Sequence, residues 1–154
     1  MLHSPIRPAV PSDLPQLTQQ RSALWPESSL TEHADELKQI LAGRPRSYMP
    51  LIILVAELEK NVLAGFVEVG LRSCAEGCDP SRPVGYVEGW YVAERYRRPG
   101  IGAALVAAAE NWARRQNCRE MASDAQLHNR ESQNVHVALG FEEVERSVNY
   151  RKTL

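Results

Sequence analysis

The feature that most constrains this chain is a pair of glycines, Gly100 and Gly102, where a strand pattern gives way to a helical one. The preceding run from Val84 to Val92 is rich in β-branched and aromatic residues, which is typical of a strand. From Gly100 to Arg115 the chain is rich in Ala, with apolar residues at helical spacing. A strand that enters a helix through glycines leaves backbone N–H groups free at the positive end of the helix dipole, which predicts an anion site.

Glycines at such a position also serve ordinary tight turns, so the pair alone does not decide between a turn and a binding loop. Arg97 and Arg98 stand just before the glycines and favour an anion such as a pyrophosphate. Pro99 has no N–H and removes one potential donor from the loop. The segment from Arg97 to Gly102 is therefore the first candidate binding site.

Other patterns predict a sheet and helices on both sides of this segment. Pro5 to Val10 is a short extended stretch. Further strands are predicted over 51–58, 62–71, 84–92 and 121–125, with a terminal pair over 141–144 and 147–151. Helices are predicted over 14–24, 31–41, 100–115 and 132–139. Alternation of strands and helices in the second half, after an antiparallel meander, indicates an α/β or α+β class with a mixed sheet.

Composition indicates one soluble domain that acts on a small or locally charged substrate. The 154 residues are 44% hydrophobic, and 18 basic residues against 19 acidic ones give no reason to expect nucleic acid. The longest apolar run, Leu51 to Ala56, is too short to span a membrane, so we expect a cytoplasmic protein. Cys74, Cys78 and Cys118 are an odd number, and we expect reduced structural thiols and no metal site.

Several side chains are candidates for chemistry. Glu88 lies in an otherwise apolar strand, where a carboxylate is costly unless it faces a cleft or has a partner. Asp124 ends a short strand and is equally compatible with a helix cap. Glu68 is expected to face solvent, with a position lining the binding site as the alternative. Trp25 at a helix end is compatible with core packing or with a ligand platform. His136 lies between Val135 and Val137, where a packed histidine is the more common case.

With these motifs the chain resembles the GNAT acetyltransferases, whose signature Arg97, Gly100 and Gly102 match. The resemblance implies one N-acetyltransferase domain over residues 1–154 with the GNAT fold, a mixed sheet of about six to seven strands flanked by about four helices. It also implies acetyl-CoA as cofactor. Its pyrophosphate would be bound by the amides of Arg98, Gly100, Ile101, Gly102 and Ala103, its pantetheine arm by the backbone of Tyr91 and Val92, and a further contact would come from Asn129.

A narrower resemblance is to the chromosomal type of aminoglycoside 6'-N-acetyltransferase. It is carried by Leu24-Trp25-Pro26, Val87-Glu88-Gly89, Met121-Ala122-Ser123-Asp124 and, with His136, Ala138-Leu139-Gly140-Phe141-Glu142-Glu143. The resemblance implies that Trp25, Glu88, Asp124 and Glu145 surround the aminoglycoside, and that the protein confers antibiotic resistance as a homodimer. The loop Ser73–Arg82 departs from that group because it lacks an aromatic residue that reaches the substrate.

The acceptor must present a neutral amine, although an alkyl ammonium has a pKa of about 10.4. We expect Glu88 and Asp124 to bind a small polycationic amine and to relay its proton, while the Val92 N–H stabilises the thioester oxygen. His136 falls where many GNAT enzymes have a tyrosine that protonates the leaving thiolate. Two alternatives stay open at this point: another acceptor amine (a polyamine, a peptide N-terminus or a lysine), or a CoA-binding homologue without catalysis.

Overall fold

A five-stranded mixed sheet with four helices organises the chain. In the computed structural model, residues 6–97 and 100–154 are described. The strands are β1 (Ile6–Pro8), β2 (Leu51–Glu59), β3 (Val62–Arg72), β4 (Val84–Val92) and β5 (Met121–Ser123). The helices are α1 (Leu14–Leu24), α2 (Leu30–Leu41), α3 (Ile101–Arg115) and α4 (Arg130–Ala138). These bounds agree with the sequence patterns to within about two residues at most ends, which is the usual uncertainty of helix and strand ends.

The strands lie in the order β1-β2-β3-β4-β5, and each pair is antiparallel except β4 with β5, which is parallel. Such a parallel pair needs a crossover, and α3 supplies it. Alternation along β3 divides the core between the two faces of the sheet. Val67 and Val69 pack with Leu105 of α3, whereas Phe66 packs with Leu17 of α1 and Leu37 of α2.

The pairing of β3 with β4 contains one extra residue on β4. Glu68 is opposite Gly89, and the next residue, Val69, is opposite Val87, so Glu88 has no partner of its own. This β-bulge shifts the alternation of the first half of β4 by one residue. Val87 therefore faces the α3 side, in the same cluster as Val69, and Glu88 turns toward the side of α1 and α2.

The two predicted C-terminal strands are not formed, so the sheet has five strands rather than six or seven. Residues 141–154 follow α4 without regular structure, and most of their side chains are exposed. A strand needs a neighbour for its N–H and C=O groups. In the described part of the chain, the edge strand β5 has only three residues, and residues 141–154 are not paired with it.

The cysteines are unpaired: Cys74 is exposed, Cys78 half-buried and Cys118 buried. Among the described residues, no group of His, Cys, Asp and Glu side chains is arranged to hold a metal ion. Within the same ranges, no helix has the length and apolar character needed to cross a bilayer.

Candidate functional site

The amino end of α3 carries free backbone donors. Gly100 precedes the helix with φ +85°, a left-handed conformation that glycine adopts without strain. The N–H of Ala104 donates to the carbonyl of Gly100 at 3.0 Å and is the first amide with a helical acceptor. The amides of Ile101, Gly102 and Ala103 thus have no acceptor within the helix. Within residues 6–97 and 100–154, no side chain caps this end, and no acidic residue lies in the first turn, so the amides and the helix dipole suit an anion.

Arg97 joins this helix end to β4. Its Nε donates to the carbonyl of Val92 at 3.0 Å, and its Nη1 lies 3.9 Å from Glu131 at the start of α4. The guanidinium is thus held beside the loop that precedes α3. Arg98, also predicted to contact the cofactor, and Pro99 lie outside the described residues.

The second half of β4 has a free edge. The strand pairs with β5 only through residues 85–87, so its remaining residues are bonded on the β3 side alone. The N–H of Ala93 donates to Ala64 of β3 at 2.8 Å. Because successive strand residues direct their backbone groups to opposite edges, the N–H and C=O of Val92 point to the free edge and those of Tyr91 point to β3. Of the two residues predicted to pair with an extended ligand, only Val92 thus has its backbone groups directed to the free edge.

Trp90 separates the start of α3 from α4. A Cβ atom on Gly102 would lie 3.0 Å from the Trp90 ring, so glycine allows the helix to approach this side chain. On the other side, the Trp90 and His136 rings meet edge to face at 5.9 Å. The packing of the Trp90 ring against Gly102 thus places the free edge of β4 close to the free amides of α3.

His136 is packed and bonded at both ring nitrogens. Nδ1 lies 2.7 Å from the carbonyl of Ser132, which can only accept, so Nδ1 carries the proton. Nε2 then accepts from the hydroxyl of Ser123 at 2.8 Å. The ring also contacts Phe141 edge to face at 5.3 Å. This arrangement ties α4 to β5 and leaves no free N–H for the acid role that the sequence suggested.

Asn129 lies at the start of α4, whereas Glu145 occupies different surroundings from those expected. Asn129 is the N-cap of α4, and its side-chain oxygen accepts from the Ser132 N–H at 3.0 Å. Glu145 is exposed in the segment after α4 and does not line the cavity described next. The structure therefore places Asn129 beside the candidate cofactor loop through α4, but does not bring Glu145 to the acidic residues.

A cavity of about 330 Å³ lies on the face of the sheet that α1 and α2 cover. Trp25 forms one wall, and its ring fits over Gly89, where a Cβ atom would be only 2.4 Å from the ring. The charged side chains that line the cavity are Glu36, Arg46, Glu68, Arg72 and Glu88. Trp25 and Glu88 are thus brought together as predicted, one from the end of a helix and the other from the bulge.

Glu88 is held by Arg72, the last residue of β3. The Arg72 guanidinium donates to both Glu88 oxygens, at 2.8 and 2.6 Å, and lies over the Tyr86 ring at 3.5 Å. Hydrogen bonding to Glu88 raises the pKa of Arg72, and the charge of Asp124 acts in the same direction. Burial raises the pKa of Tyr86, with a further contribution from Asp124. Asp124 is exposed after β5 and does not line the cavity, but it lies near the Arg72–Glu88 pair.

Glu68 is buried rather than facing solvent as expected. It is 5% exposed, and Arg21, itself 3% exposed, holds it at 3.1 Å while also donating to Glu36 at 3.0 Å. The same guanidinium nitrogen donates to the other Glu68 oxygen at 3.3 Å, while the closer oxygen is not aligned for a hydrogen bond, so the contact combines a charge interaction with one long hydrogen bond. Burial raises the pKa of Glu68 to about 7, against the opposing charge of Arg21 and with the charges of Glu36 and Glu88.

Sequence patterns do not predict Arg21, Glu36 or Arg72 as parts of the site. Arg21 lies four residues after the buried Leu17 on α1, so helical spacing puts its charge on the core side of the helix. That position indicates a buried charge with a partner. Glu68 shares its strand face with the buried Phe66, which is the same kind of signal in a strand. Arg72 gave no signal, because a charge at the end of a strand is ordinary.

Comparison with known proteins agrees with this geometry. The model of the acetyltransferase (GNAT) family matches residues 14–141. The chain belongs to the GNAT acetyltransferase family. The expected mixed-sheet GNAT fold is thereby confirmed, with the correction to five strands.

Two relatives are named aminoglycoside N(6')-acetyltransferase type 1. One from Klebsiella aerogenes is 40% identical over 149 residues, which cover 97% of this chain and 96% of the relative. One from Serratia marcescens is 44% identical over 135 residues, which cover 87% of this chain and 88% of the relative. The narrower resemblance noted in the sequence is confirmed by these matches.

Solved structures give the same result. AAC(6')-Iy in complex with the bisubstrate analogue CoA-S-monomethyl-acetylneamine is 36% identical, with a TM-score of 0.85, and 97% of this chain aligns with 98% of that one. The apo aminoglycoside 6'-N-acetyltransferase AAC(6')-IG from Acinetobacter haemolyticus is 33% identical, with a TM-score of 0.85, and 97% of this chain aligns with 99% of that one.

The raised pKa of Glu68 makes stability depend on pH. Between the ordinary value of 4.5 and about 7, the folded state keeps a proton that the unfolded state has lost. The contribution of this retained proton to the free energy of unfolding is therefore complete below pH 4.5. It is lost as the pH rises to 7, by up to about 3 kcal/mol. Urea unfolding at a series of pH values should show Glu68→Gln gaining stability relative to the unchanged protein across this interval. Glu59→Gln, at an exposed position, is the matched control. If the stability difference from the unchanged protein does not vary with pH for either variant, the raised pKa of Glu68 is contradicted.

Proposed function

We propose that this protein transfers an acetyl group from acetyl-CoA to the 6'-amine of aminoglycosides by direct attack of the amine, and thereby confers resistance to them. The observation that carries the proposal is the acidic residue Glu88, turned by a bulge into a cavity beside the free edge of β4. Relatives that match this chain almost from end to end are named for the same reaction. We further propose one domain over residues 1–154 and a cytoplasmic location.

The residues at the start of α3 fit a pyrophosphate. Three backbone amides lack a helical acceptor, no carboxylate lies in the first turn, and Arg97 stands beside the loop. The Val92 N–H at the free edge of β4 is placed to donate to an extended ligand. Arg98 and Asn129 complete the proposed set, Asn129 through its side-chain amide because its oxygen caps α4. When bound, acetyl-CoA supplies the thioester carbon that the amine attacks.

Within this scheme the protein's own groups bind the cation, remove its proton and stabilise charge. Glu88 lies on β4 and Asp124 directly follows β5, near the point where these two strands separate, and both can attract an ammonium group. A carboxylate or a water bound to it then accepts the proton that the ammonium must lose before attack. Trp25 borders the acceptor, and the Val92 N–H stabilises negative charge on the thioester oxygen.

The helix start can be tested with Gly102→Val. The branched side chain would press into the Trp90 ring, which is already 3.0 Å from the position of a Cβ, and would displace the amides of the first turn. We expect CoA to bind at least about tenfold more weakly in calorimetry. Ala104→Val, exposed two residues further along the same helix, should bind CoA normally. Equal affinity for both variants would remove the helix start as the pyrophosphate site.

The acidic residues can be tested with Glu88→Gln and Asp124→Asn. Each change removes a charged contact or a proton acceptor, so kcat/KM for kanamycin should fall by roughly 10- to 1000-fold. CoA affinity should be unchanged, because neither side chain lies at the start of α3. Glu59→Gln serves as a distant control at the end of β2. If the unchanged enzyme acetylates polyamines or peptide amines but no aminoglycoside, the acceptor assignment fails and acetyl transfer stands.

We also propose a homodimer. The segment after α4 exposes four large apolar side chains, namely Val144, Val148, Tyr150 and Leu154, and Val144 lies against Gly77 of the loop that precedes β4. Exposed apolar side chains in an extended segment are suited to pairing with a second copy. Sedimentation at micromolar concentration should give twice the 17.3 kDa of one chain.

A variant pair sharpens this test. Val148→Asp should shift the protein toward the single chain, because a carboxylate would be buried in the proposed interface. Leu30→Asp changes a comparably exposed apolar side chain at the start of α2 and should leave the dimer intact. A single 17.3 kDa species for the unchanged protein would refute the dimer.

A further inference from the structure

The cavity lined by Trp25 and Glu88 is the proposed site of the acceptor amine, and its carboxylates are already paired with arginines of the same chain. Glu36 and Glu68 share the guanidinium of Arg21, and Glu88 receives two hydrogen bonds from Arg72. Each carboxylate that lines the described part of this cavity is therefore paired with an arginine of the chain. An incoming ammonium group must share one of these carboxylates or displace the guanidinium bound to it.

The two guanidiniums differ in their freedom to move. Arg21 is 3% exposed, is held by two carboxylates, and lies 4.9 Å from the centre of the Trp25 ring. Its removal would leave the buried carboxylate of Glu68 without a partner, which is costly. The Arg72 side chain is 46% exposed, and among the described residues it is held by Glu88 and the face of the Tyr86 ring. Arg72 is therefore the guanidinium that can leave its carboxylate for solvent.

Arg72 also occupies the place of an acceptor cation. Its guanidinium donates to both oxygens of Glu88 and lies within the influence of Asp124, the two carboxylates assigned above to the acceptor's ammonium. Guanidinium and ammonium groups are both donors without acceptors, so they compete for the same carboxylate lone pairs. The contact thus resembles the one that an acceptor amine would make.

We infer that Arg72 is an internal competitor for the acceptor's ammonium group: it neutralises Glu88 in the free enzyme and is displaced when a polycation binds. This inference rests on the proposed function, because it requires Glu88 to bind the acceptor. A ligand with several charges replaces the lost pair with several contacts, whereas a singly charged amine replaces it with one. Arg72 thereby sets a threshold of acceptor charge and is a specificity-determining residue.

The test is a calorimetric titration of kanamycin and of spermidine into the unchanged enzyme and into Arg72→Gln. Loss of the competitor should lower the Kd of the polycation by about 3- to 10-fold, the scale of a partly exposed ion pair. Arg82→Gln is the matched control, because Arg82 is 45% exposed and paired to Asp79 on the neighbouring loop. That variant removes the same charge from the surface and should leave both Kd values within about twofold of the unchanged enzyme.

A second pair of variants separates competition from a general charge effect. In the Glu88→Gln background, Arg72→Gln should give no further tightening, because the carboxylate under competition is gone. The inference is overturned if Arg72→Gln binds both probes as the unchanged enzyme does or more weakly, the result expected of an arginine that only orients Glu88. It is equally overturned if the gain persists without Glu88.

The proposed function is tested separately, by an assay that detects the CoA thiol released when each amine is acetylated. If spermidine is acetylated and no aminoglycoside is, the proposed acceptor is wrong, and the spermidine titration decides the role of Arg72. If the unchanged enzyme binds neither probe but Arg72→Gln binds one, the competition is supported. If no variant binds either probe, Glu88 does not bind a polycation and both proposals fall.

Discussion

The extra residue in β4 is the constraint on which the candidate site depends. Without it, strict alternation would direct Val87 toward α1 and α2 and Glu88 into the apolar cluster under α3. A carboxylate in that cluster would be costly, and Val87 would be lost from it. The bulge reverses both placements with a single unpaired residue, so the core under α3 stays apolar while the opposite face gains an acidic group.

The same strand separates two kinds of chemistry. Beyond residue 87, β4 leaves β5 and presents a free backbone edge, with the uncapped start of α3 close by through the contact of Trp90 with Gly102. Free N–H groups at that edge and at the helix suit an extended ligand with an anionic end. The other face of the sheet carries the carboxylates, which suit a cation. One strand thus lies between a surface suited to an anionic ligand and a surface suited to a cationic one. The proposed acetyl donor and the proposed amine acceptor can meet at this strand while their charged groups bind on different faces.

The acidic face is stabilised by pairs that differ in burial. Arg21 joins α1, α2 and β3 through Glu36 and Glu68, and removing one member of such a buried group leaves another charge without a partner. The pair of Arg72 with Glu88 also lines the cavity but is partly exposed, so it stabilises the protein little. The inferred exchange of Arg72 for a ligand cation depends on this difference in burial.

The sequence by itself determined the helices and most strands of this GNAT acetyltransferase, and the glycine turn that starts α3. Local patterns predicted the strands and helices up to residue 140, and Gly100 with Gly102 predicted the helix start, because turns, helix ends and alternation depend on neighbouring residues. The C-terminal strands were predicted wrongly, since a strand also requires a partner that the local sequence does not provide. Only the tertiary structure decided that Glu68 is buried, that Arg72 holds Glu88, and that the bulge turns Glu88 into the cavity. Those outcomes depend on register and on charges brought together from distant parts of the chain, and no local pattern encodes either of them.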